Sequence, residues 1–321
     1  MGGARGWEGR TPGCRPRRRH GERGERSVVP RPVVVGVDGS PSALAAVVAA
    51  AQEARMREAR LHVVHAFIWP AMHVPPGGSP LGPPAGGVQE SVGQLLAEAV
   101  ERALATAPEV VVDHAVVAGE AVTALEAESR TAQLMVVGHR GSGGFAGLLL
   151  GSTSVHLAAH SHCPVMVVRD RPTKDGPVLV AVDGTPHSRG AIAFAFDEAS
   201  MLGTDLVALH VWGTWSDHGD TRPVDLLDLV GDVENLQAHE ERLLDEALSG
   251  HREEHPGVTV HARVVRGRTR PTLIEASRGA QLMVVGARGR GGFTGLLLGS
   301  VSQVVLHHAH CPVTVVRPGQ R

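Results

Sequence analysis

A long internal repeat limits this chain to a duplicated fold. Residues 130–169 and 278–317 align at a constant offset of 148 and are identical at 28 of 40 positions. An earlier segment, 33–41, recurs at 178–186 with an offset of 145. Repeats of about 20 to 50 residues build solenoids, whereas copies of about 140 residues are each large enough for a core of their own. The 321-residue chain is therefore predicted to contain two similar domains in tandem.

The repeat also sets the predicted domain boundaries. We expect a first domain at 28–170, a linker at 171–177 and a second domain at 178–318. Residues 1–27 are rich in arginine and glycine and show no apolar periodicity, a composition typical of a disordered extension. A basic arm for nucleic acid and an over-extended translation start remain open as alternatives for this segment.

The composition excludes several classes of protein. A formal net charge of -2 argues against nucleic acid or an anionic membrane as the main partner, and 3% aromatic residues offer little stacking on bases. No apolar run approaches the roughly 18 residues of a transmembrane helix and no signal peptide is present, so a cytoplasmic protein is expected. Cys163 and Cys311 occupy equivalent positions in the two copies and are expected to be small buried hydrophobes.

Short β-branched runs alternate with helical patterns through both copies. Strands are predicted at 33–37, 61–68, 110–117, 134–137 and 165–169, with helices at 42–57, 88–105, 122–130 and 152–160, and a long charged helix at 226–248 in the second copy. Ser42 is predicted to cap the first helix. The alternation is typical of a doubly wound α/β fold, a parallel sheet with helices on both faces. If the first and fourth strands are neighbours, the turns that follow them line one pocket in each copy.

A glycine loop follows the fourth strand of each copy. Gly138-His139-Arg140-Gly141 precedes nine residues and then Gly151-Ser152, and Gly286-Ala287-Arg288-Gly289 precedes nine residues and then Gly299-Ser300. Glycine permits positive φ and lets an anion approach consecutive N–H groups, and the following helix N-terminus adds partial positive charge. The pattern predicts one phosphate site per copy. It is neither the Gly-Lys-Ser/Thr loop of GTPases nor a dinucleotide fingerprint, which would follow the first strand.

Charged residues beside these loops have two interpretations each. Asp38 and Asp183 end the first strands, where a carboxylate can accept hydrogen bonds from ribose hydroxyls, help to hold a metal, or only stabilise a turn. Arg140 and Arg288 can face phosphate or remain solvated surface side chains. The densest histidine cluster, 307–310, is not expected to bind a metal because adjacent helical positions diverge by about 100°.

Together these motifs resemble the ATP-binding branch of the universal stress proteins in its tandem form. The chain carries Val-Asp-Gly-Ser-Pro after the first strand, Gly-x-x-Gly-(nine)-Gly-Ser after a strand ending in Met-Val-Val, and His-Cys-Pro-Val-x-Val-Val-Arg at the close. The similarity covers residues 28–318 apart from a Pro/Gly-rich loop, and both copies keep every motif glycine. It implies two Rossmann-like domains, each with a five-stranded parallel sheet, paired through their last strands, with adenine nucleotide at the carboxyl edge of each sheet.

The resemblance further implies roles for particular residues. The ends of the first strands contact adenosine, with the aspartate toward the ribose; the ends of the second strands meet the adenine, and the loop and helix start hold the phosphates. In the first copy these residues are Gly36, Val37, Asp38, Ala66, Gly138, Arg140, Gly141, Gly151, Ser152 and Thr153. In the second copy they are Ala181, Val182, Asp183, Val211, Gly286, Arg288, Gly289, Gly299, Ser300 and Val301. Ala66 is smaller than the valine that family members often carry there.

The two glycine loops differ in charge. The first has His139 and Ser142 where the second has Ala287 and Arg290. Arg290 is therefore a further candidate phosphate contact, and the second site is expected to prefer ATP over AMP more strongly. The first site is expected to tighten as the pH falls through about 6.5, where His139 gains charge.

These features predict an ATP-binding protein, with or without Mg²⁺, that acts as a nucleotide-dependent sensor or regulator of stress or dormancy. Neither glycine loop contains a lysine, and each copy offers one aspartate, too few for a two-metal site, so no catalytic residue is assigned. A slow ATPase or related nucleotide hydrolase that uses Asp38 or Asp183 to orient water, and a scaffold whose nucleotide is structural, remain alternatives. A homodimer of whole chains, beyond the intramolecular pair, is also open.

Overall fold

The computed structural model describes residues 30–67, 85–141, 150–169, 175–213, 229–289 and 297–320. The ten strands are β1 Val33–Gly36, β2 Leu61–Phe67, β3 Val112–Ala118, β4 Leu134–Gly138, β5 Val165–Val168, β6 Val178–Val182, β7 Leu206–Trp212, β8 Val260–Arg266, β9 Leu282–Gly286 and β10 Val313–Val316. The eight α-helices are α1 Pro41–Met56, α2 Ala85–Thr106, α3 Ala121–Glu128, α4 Ser152–His160, α5 Arg189–Leu202, α6 Leu229–Glu254, α7 Thr269–Ala276 and α8 Ser300–His308. The predicted extension 1–27 and most of the predicted linker lie outside the described residues.

All ten strands form one sheet in the order β3-β2-β1-β4-β5-β10-β9-β6-β7-β8. Within each domain the five strands are parallel, and β1 lies between β2 and β4, so the expected doubly wound α/β fold and the expected neighbours are confirmed. The two domains join where β5 and β10 pair antiparallel, with Val167 opposite Val313 and Val165 opposite Val315. The predicted pairing through the last strands is thus confirmed, and it makes the two five-stranded sheets continuous.

Helices cover both faces of this sheet. The strands are apolar on both sides, as in β1, where Val33, Val34 and Val35 are fully buried, because a parallel sheet in this fold has no solvated face. On one face lie α1, α2, α5 and α6; on the other lie α3, α4, α7 and α8. Cys163 and Cys311 are buried on the second face, and burial raises the pKa of their thiols to about 11 and about 12.

The start of α1 differs from the prediction. Ser40, not Ser42, is the N-cap, and its Oγ accepts a hydrogen bond from the Ala43 amide at 3.1 Å. Pro41 is the first helical residue, a position that suits its fixed φ and missing N–H. Ser42 is thereby placed inside the first turn, which leaves its hydroxyl free for a contact described below. Several other boundaries also shift by a few residues, most of all α6, predicted at 226–248.

An ion cluster links the two domains across the face that α1 and α5 share. The guanidinium of Arg57 donates to Glu53 at 3.0 Å and also to Glu198 of the second domain, and it lies 5.2 Å from the centre of the Phe194 ring. Glu53 and Glu198 are equivalent by the offset of 145, but the counterpart of Arg57 is Leu202. Two buried carboxyls therefore share one guanidinium.

This excess of carboxyls over guanidinium groups is accompanied by a raised pKa at both Glu53 and Glu198. Burial is the main cause that raises the pKa of Glu53, and burial followed by the charge of Glu53 raises the pKa of Glu198 well above its ordinary range, although Arg57 opposes both shifts. The second oxygen of Glu198 is buried and has no hydrogen-bond partner among the described residues. The cluster consequently favours a proton held between the two carboxyls.

The cluster should make stability depend on pH. Because the folded protein holds this proton more tightly than the unfolded chain, the free energy of unfolding should fall as pH rises above the ordinary value of 4.5 through the raised folded pKa. Glu198→Gln should flatten that dependence, measured by urea unfolding between pH 5 and 8. Arg57→Leu removes the charge that both carboxyls share and should cost about 3 to 5 kcal/mol at neutral pH. An unchanged pH slope in Glu198→Gln would contradict this assignment.

Candidate functional site

The candidate site lies where neighbouring parallel strands end. In the first domain the carboxyl ends of β1, β2 and β4 share one edge of the sheet, as do those of β6, β7 and β9 in the second. The register of β1 on β2 ends with Gly36 opposite Val64, and that of β6 on β7 with Val182 opposite His210. Continued for one or two residues, it brings Asp38 level with Ala66 and Asp183 level with Val211. The strand ends assigned to adenosine are thus adjacent in each domain.

The carboxylate of Asp38 joins the first-strand turn to the glycine loop. Its Oδ1 accepts a hydrogen bond from the Ser40 amide at 3.0 Å, and Gly39 follows with φ +81°. Its Oδ2 lies against Gly141, where an added Cβ would stand only 2.6 Å away. One oxygen therefore stabilises the turn and the other faces the loop, while the predicted contact with a ligand stays a prediction.

Asp183 repeats this geometry in the second domain. Its Oδ1 accepts hydrogen bonds from the Thr185 amide at 2.9 Å and from the Thr185 hydroxyl at 2.8 Å. A Cβ at Gly289 would lie 3.0 Å from its Oδ2. That Oδ2 is buried and, among the described residues, has no hydrogen-bond partner. An ionised carboxylate can only accept hydrogen bonds, so this oxygen is placed to receive a donor.

The loop glycines serve close approach rather than a left-handed backbone. The expectation of positive φ is wrong for all the described loop glycines, and the left-handed residues near the site are Gly39 and Gly184 in the aspartate turns. Gly138 shows the actual constraint, because a Cβ there would stand 2.5 Å from the Ser42 hydroxyl and 2.7 Å from the Ser42 backbone. A glycine is needed where the loop crosses the first turn of α1.

Two serines fasten the first loop to α1. The Arg140 amide donates to the Ser42 Oγ at 3.3 Å, and the Ser40 hydroxyl donates to the Arg140 carbonyl at 3.3 Å. The Nδ1 of His139 lies 3.0 Å from the same Ser42 Oγ. His139 is only 5% exposed, so its ring is packed behind the loop. The ring thus contacts α1 from behind the loop, and the predicted tightening of the first site at lower pH stays a prediction.

The helices that follow the loops begin without a side-chain cap. Gly151 and Gly299 are the extended N-caps of α4 and α8, and neither helix has a side-chain cap hydrogen bond. The first three amides of each helix, from Ser152 and from Ser300 onward, lack intrahelical acceptors. They open toward the side on which the glycine loop ends, and the helix dipole adds positive charge there.

A third serine closes each loop at its base. The Ser154 hydroxyl donates to the Gly138 carbonyl at 2.8 Å, and the Ser302 hydroxyl donates to the Gly286 carbonyl at 2.7 Å. The Gly151 amide also donates to the His139 carbonyl at 2.8 Å. The sequence interpretation missed both serines, although their recurrence at the offset of 148 was a usable signal.

Both domains are similar to known proteins. Residues 30–169 and 176–317 each match the sequence model of the universal stress protein family. The chain belongs to the universal stress protein family. A universal stress protein of Mycobacterium tuberculosis is 40% identical over 300 residues, which cover 89% of this chain and 96% of the relative. One of Mycolicibacterium smegmatis is 41% identical over 303 residues, covering 89% and 97%.

A solved universal stress protein structure has the same fold. The crystal structure of a universal stress protein from Archaeoglobus fulgidus matches 90% of this chain and 99% of its own, with a TM-score of 0.62 and 18% sequence identity. At that identity the likeness concerns the fold. No helix in the described part of the chain is long and apolar enough to cross a membrane.

Equivalent histidines of the two copies support the strand ends of this universal stress protein. The Nδ1 of His65 donates to the Val37 carbonyl at 2.8 Å, and that of His210 to the Val182 carbonyl at 2.7 Å. In the second domain the Nε2 of His210 also lies 2.8 Å from the Glu240 carboxylate, and both side chains are largely buried. Sequence reasoning missed this pair, although the two histidines recur at the offset of 145.

The two sites differ in their surrounding charge. Arg140 is exposed, whereas Arg288 is half-buried and lies near Arg317 at the domain seam. Burial, and next the charge of Arg288, lowers the pKa of Arg317. The Arg317 guanidinium also donates to the Ser161 carbonyl of the first domain at 2.8 Å. Arg290 lies outside the described residues, so the predicted asymmetry in ATP preference stays a prediction.

The remaining assigned residues have simpler surroundings. Gly36 packs against α3, where an added Cβ would lie 2.7 Å from Leu125 Cδ1. Ser152 and Ser300 are exposed at the helix starts, and Thr153 and Val301 are half-buried behind them. Among the described residues no three His, Cys, Asp or Glu side chains form a cluster that could hold a metal ion.

Loss of the Ser154 hydroxyl should destabilise the protein at the start of the first loop. Ser154→Ala leaves the Gly138 carbonyl without its donor in a buried place, so the free energy of unfolding should fall by about 1 to 3 kcal/mol. Ser152→Ala, two residues earlier on an exposed side chain, should stay within about 0.5 kcal/mol of the parent. Urea unfolding of both variants measures the difference, and equal effects would show that the Ser154 bond is unimportant.

Proposed function

We propose that each domain binds one adenine nucleotide, ATP, and that the chain acts as a nucleotide-dependent regulator of stress or dormancy rather than as a dedicated enzyme. The observation that carries the proposal is the contact of a strand-end aspartate with a glycine loop that precedes an uncapped helix N-terminus. This arrangement occurs in both domains, at Asp38 with Gly141 and at Asp183 with Gly289.

The phosphate end of the ligand belongs at the loop and helix start. Three open amides and a helix dipole favour an anion, and the glycines keep the backbone accessible. We assign the phosphates to Gly138, Arg140, Gly141, Gly151, Ser152 and Thr153, and to Gly286, Arg288, Gly289, Arg290, Gly299, Ser300 and Val301. Ser40 and Ser42 hold the start of the first loop, residues 138–141, against α1, and a backbone held in place in this way lowers the entropic cost of binding there.

The ribose belongs at the aspartates. The buried Oδ2 of Asp183 needs a donor, and a ribose carries two hydroxyls that can donate. Because this oxygen lies against the loop, the ligand must present hydroxyls and phosphate close together, as a nucleotide does. The adenine then falls at the neighbouring strand end, against Val37 and Ala66 in the first domain and Val182 and Val211 in the second.

The same residues argue for binding over fast chemistry. Each site has one aspartate, and no described cluster of acidic or histidine groups could hold a metal by itself. Any Mg²⁺ would therefore be held chiefly by the ATP phosphates, with the single aspartate as its nearest carboxylate. A second carboxylate to act as general base is missing from the described residues of the site, which favours a regulator over an ATPase.

Calorimetry should find two ATP molecules per chain. Gly141→Val and Gly289→Val should each remove one site, because the new side chain begins 2.6 Å or 3.0 Å from an aspartate oxygen and fills the space before the loop. Gly257→Val is the matched control, since a Cβ there meets nothing within 4 Å, and it should keep both sites. One site or none in the parent chain, or two sites in either loop variant, would refute the assignment.

The ribose contact can be tested in the second site alone. In the Gly141→Val background, Asp183→Asn should weaken ATP about tenfold or more but leave 2′,3′-dideoxy-ATP, which has no ribose hydroxyls, nearly unchanged. Asp245→Asn, on an exposed aspartate of α6, is the control and should change neither affinity. Equal weakening of both nucleotides would mean that Asp183 only supports the loop. If bound ATP in the same samples is converted to ADP faster than it dissociates unchanged, the ATPase alternative would be favoured.

A further inference from the structure

The second domain contains a cavity that lies away from the candidate nucleotide site. It has a volume of about 390 Å³ and lies between the sheet and α7, on the face opposite α5 and α6. It extends from the amino ends of β6 and β9, whereas the candidate nucleotide site is at the carboxyl ends. Its wall is mainly apolar, and the residues that matter here are Leu179, Val207, Leu209, Val265, Ala276 and Arg263.

The equivalent place in the first domain is filled by polar side chains. Val207 corresponds to His62 and Ala276 to Glu128 by the offsets of the repeat. The Nδ1 of His62 contacts Asp113, and its Nε2 lies 3.9 Å from Glu128. In the second domain both polar groups are replaced by smaller apolar ones. The cavity of the second domain is therefore lined by apolar side chains where the first domain has polar ones.

Within the described part of the second domain, no side chain fills this space. An added Cβ at Gly279, which also lines the cavity, would meet nothing within 4 Å, and the first domain has Thr131 at that position. Protein interiors are normally close-packed, and a void lined by apolar groups forfeits their contacts. An apolar pocket of this size with one fixed polar group is the usual composition of a small-molecule site.

The charged residue in the lining of this cavity is Arg263, whose side chain is exposed. It lies on β8 directly beside Leu209, and strand alternation puts it on the same face as Val265. Across the part of the chain that the structure describes, it has no ion pair or side-chain hydrogen bond, whereas Arg278 near the same cavity is paired with Glu275 at 2.9 Å. An exposed guanidinium beside an apolar cavity favours a ligand with one anionic end.

The surroundings of Arg263 favour a carboxylate over a phosphate as the anionic group of this ligand. A planar guanidinium matches a carboxylate with two parallel hydrogen bonds. A phosphate dianion would want additional donors, but the nearest lining hydroxyl, Thr272 Oγ1, already donates to the Arg268 carbonyl at 2.9 Å. The surroundings therefore suit a monocarboxylate better than a phosphate.

We propose that this cavity binds a small molecule with an apolar body and a single carboxylate, with the carboxylate on Arg263 and the body over Leu179, Val207 and Leu209. The site is separate from the nucleotide sites and independent of the function proposed for them. In the first domain His62 and Glu128 stand at the positions of Val207 and Ala276, so binding is expected in the second domain.

Decanoate, used below its micelle concentration, is a suitable probe for the full-length chain. Calorimetry should find one saturable site per chain, with or without saturating ATP. Arg263→Gln should weaken decanoate about tenfold or more, while Arg270→Gln, which removes an exposed charge from α7 outside the cavity, should leave it unchanged. Decanol should bind more weakly than decanoate and should not respond to Arg263→Gln.

Filling the cavity gives the second arm of the test. Gly279→Leu should abolish decanoate binding, and Thr131→Leu at the matched position of the first domain should retain it. If Gly279→Leu does not fold, the exposed Arg263→Gln variant still decides the question. The proposal is overturned if decanoate does not saturate, if Arg263→Gln binds it normally, or if decanol binds as tightly as decanoate.

Discussion

The antiparallel pairing of β5 with β10 is the contact on which the rest of the molecule depends. Each is the last strand of its domain and, left alone, would expose a sheet edge made of buried valines. Their pairing turns two sheets into one and brings α1 and α5 onto the same face. The cluster of Glu53, Arg57 and Glu198 is a consequence of this seam, since its side chains come from both domains.

The seam also fixes where the two candidate sites lie. Because β5 and β10 run in opposite directions, the carboxyl ends of the two halves lie at opposite edges of the ten-stranded sheet. Within each half the site depends on close contact between backbone and side chain, as where Gly138 crosses Ser42 and where Gly141 meets Asp38. The absence of a Cβ at these points is what allows the loop to reach the aspartate.

The sequence predicted the doubly wound fold, because β-branched runs alternate with helical patterns in a repeat with preserved spacing. It placed the aspartates beside the glycine loops only on the condition that the first and fourth strands are neighbours, which the structure confirms. The sequence did not predict contacts for which two nearby residues of the same type were equally suitable. Ser40 and Ser42 flank Pro41 and are both good caps, and only the fold shows that Ser42 instead meets His139, 97 residues away. Likewise, the pairing of Arg57 with Glu198 has no local signal, since its partners are 141 residues apart.

The covalent link between the domains has a consequence for how the halves can differ. Only nine residues separate β5 from β6, so the seam forms within one molecule and does not depend on protein concentration. Separate subunits with such similar seams would also form pairs of like halves. Fusion permits only the unlike pair, and that lets one half keep Arg57 while the other has Leu202, or one keep His62 while the other has Val207. Each molecule therefore always carries one of each specialised half, in equal number and at any dilution.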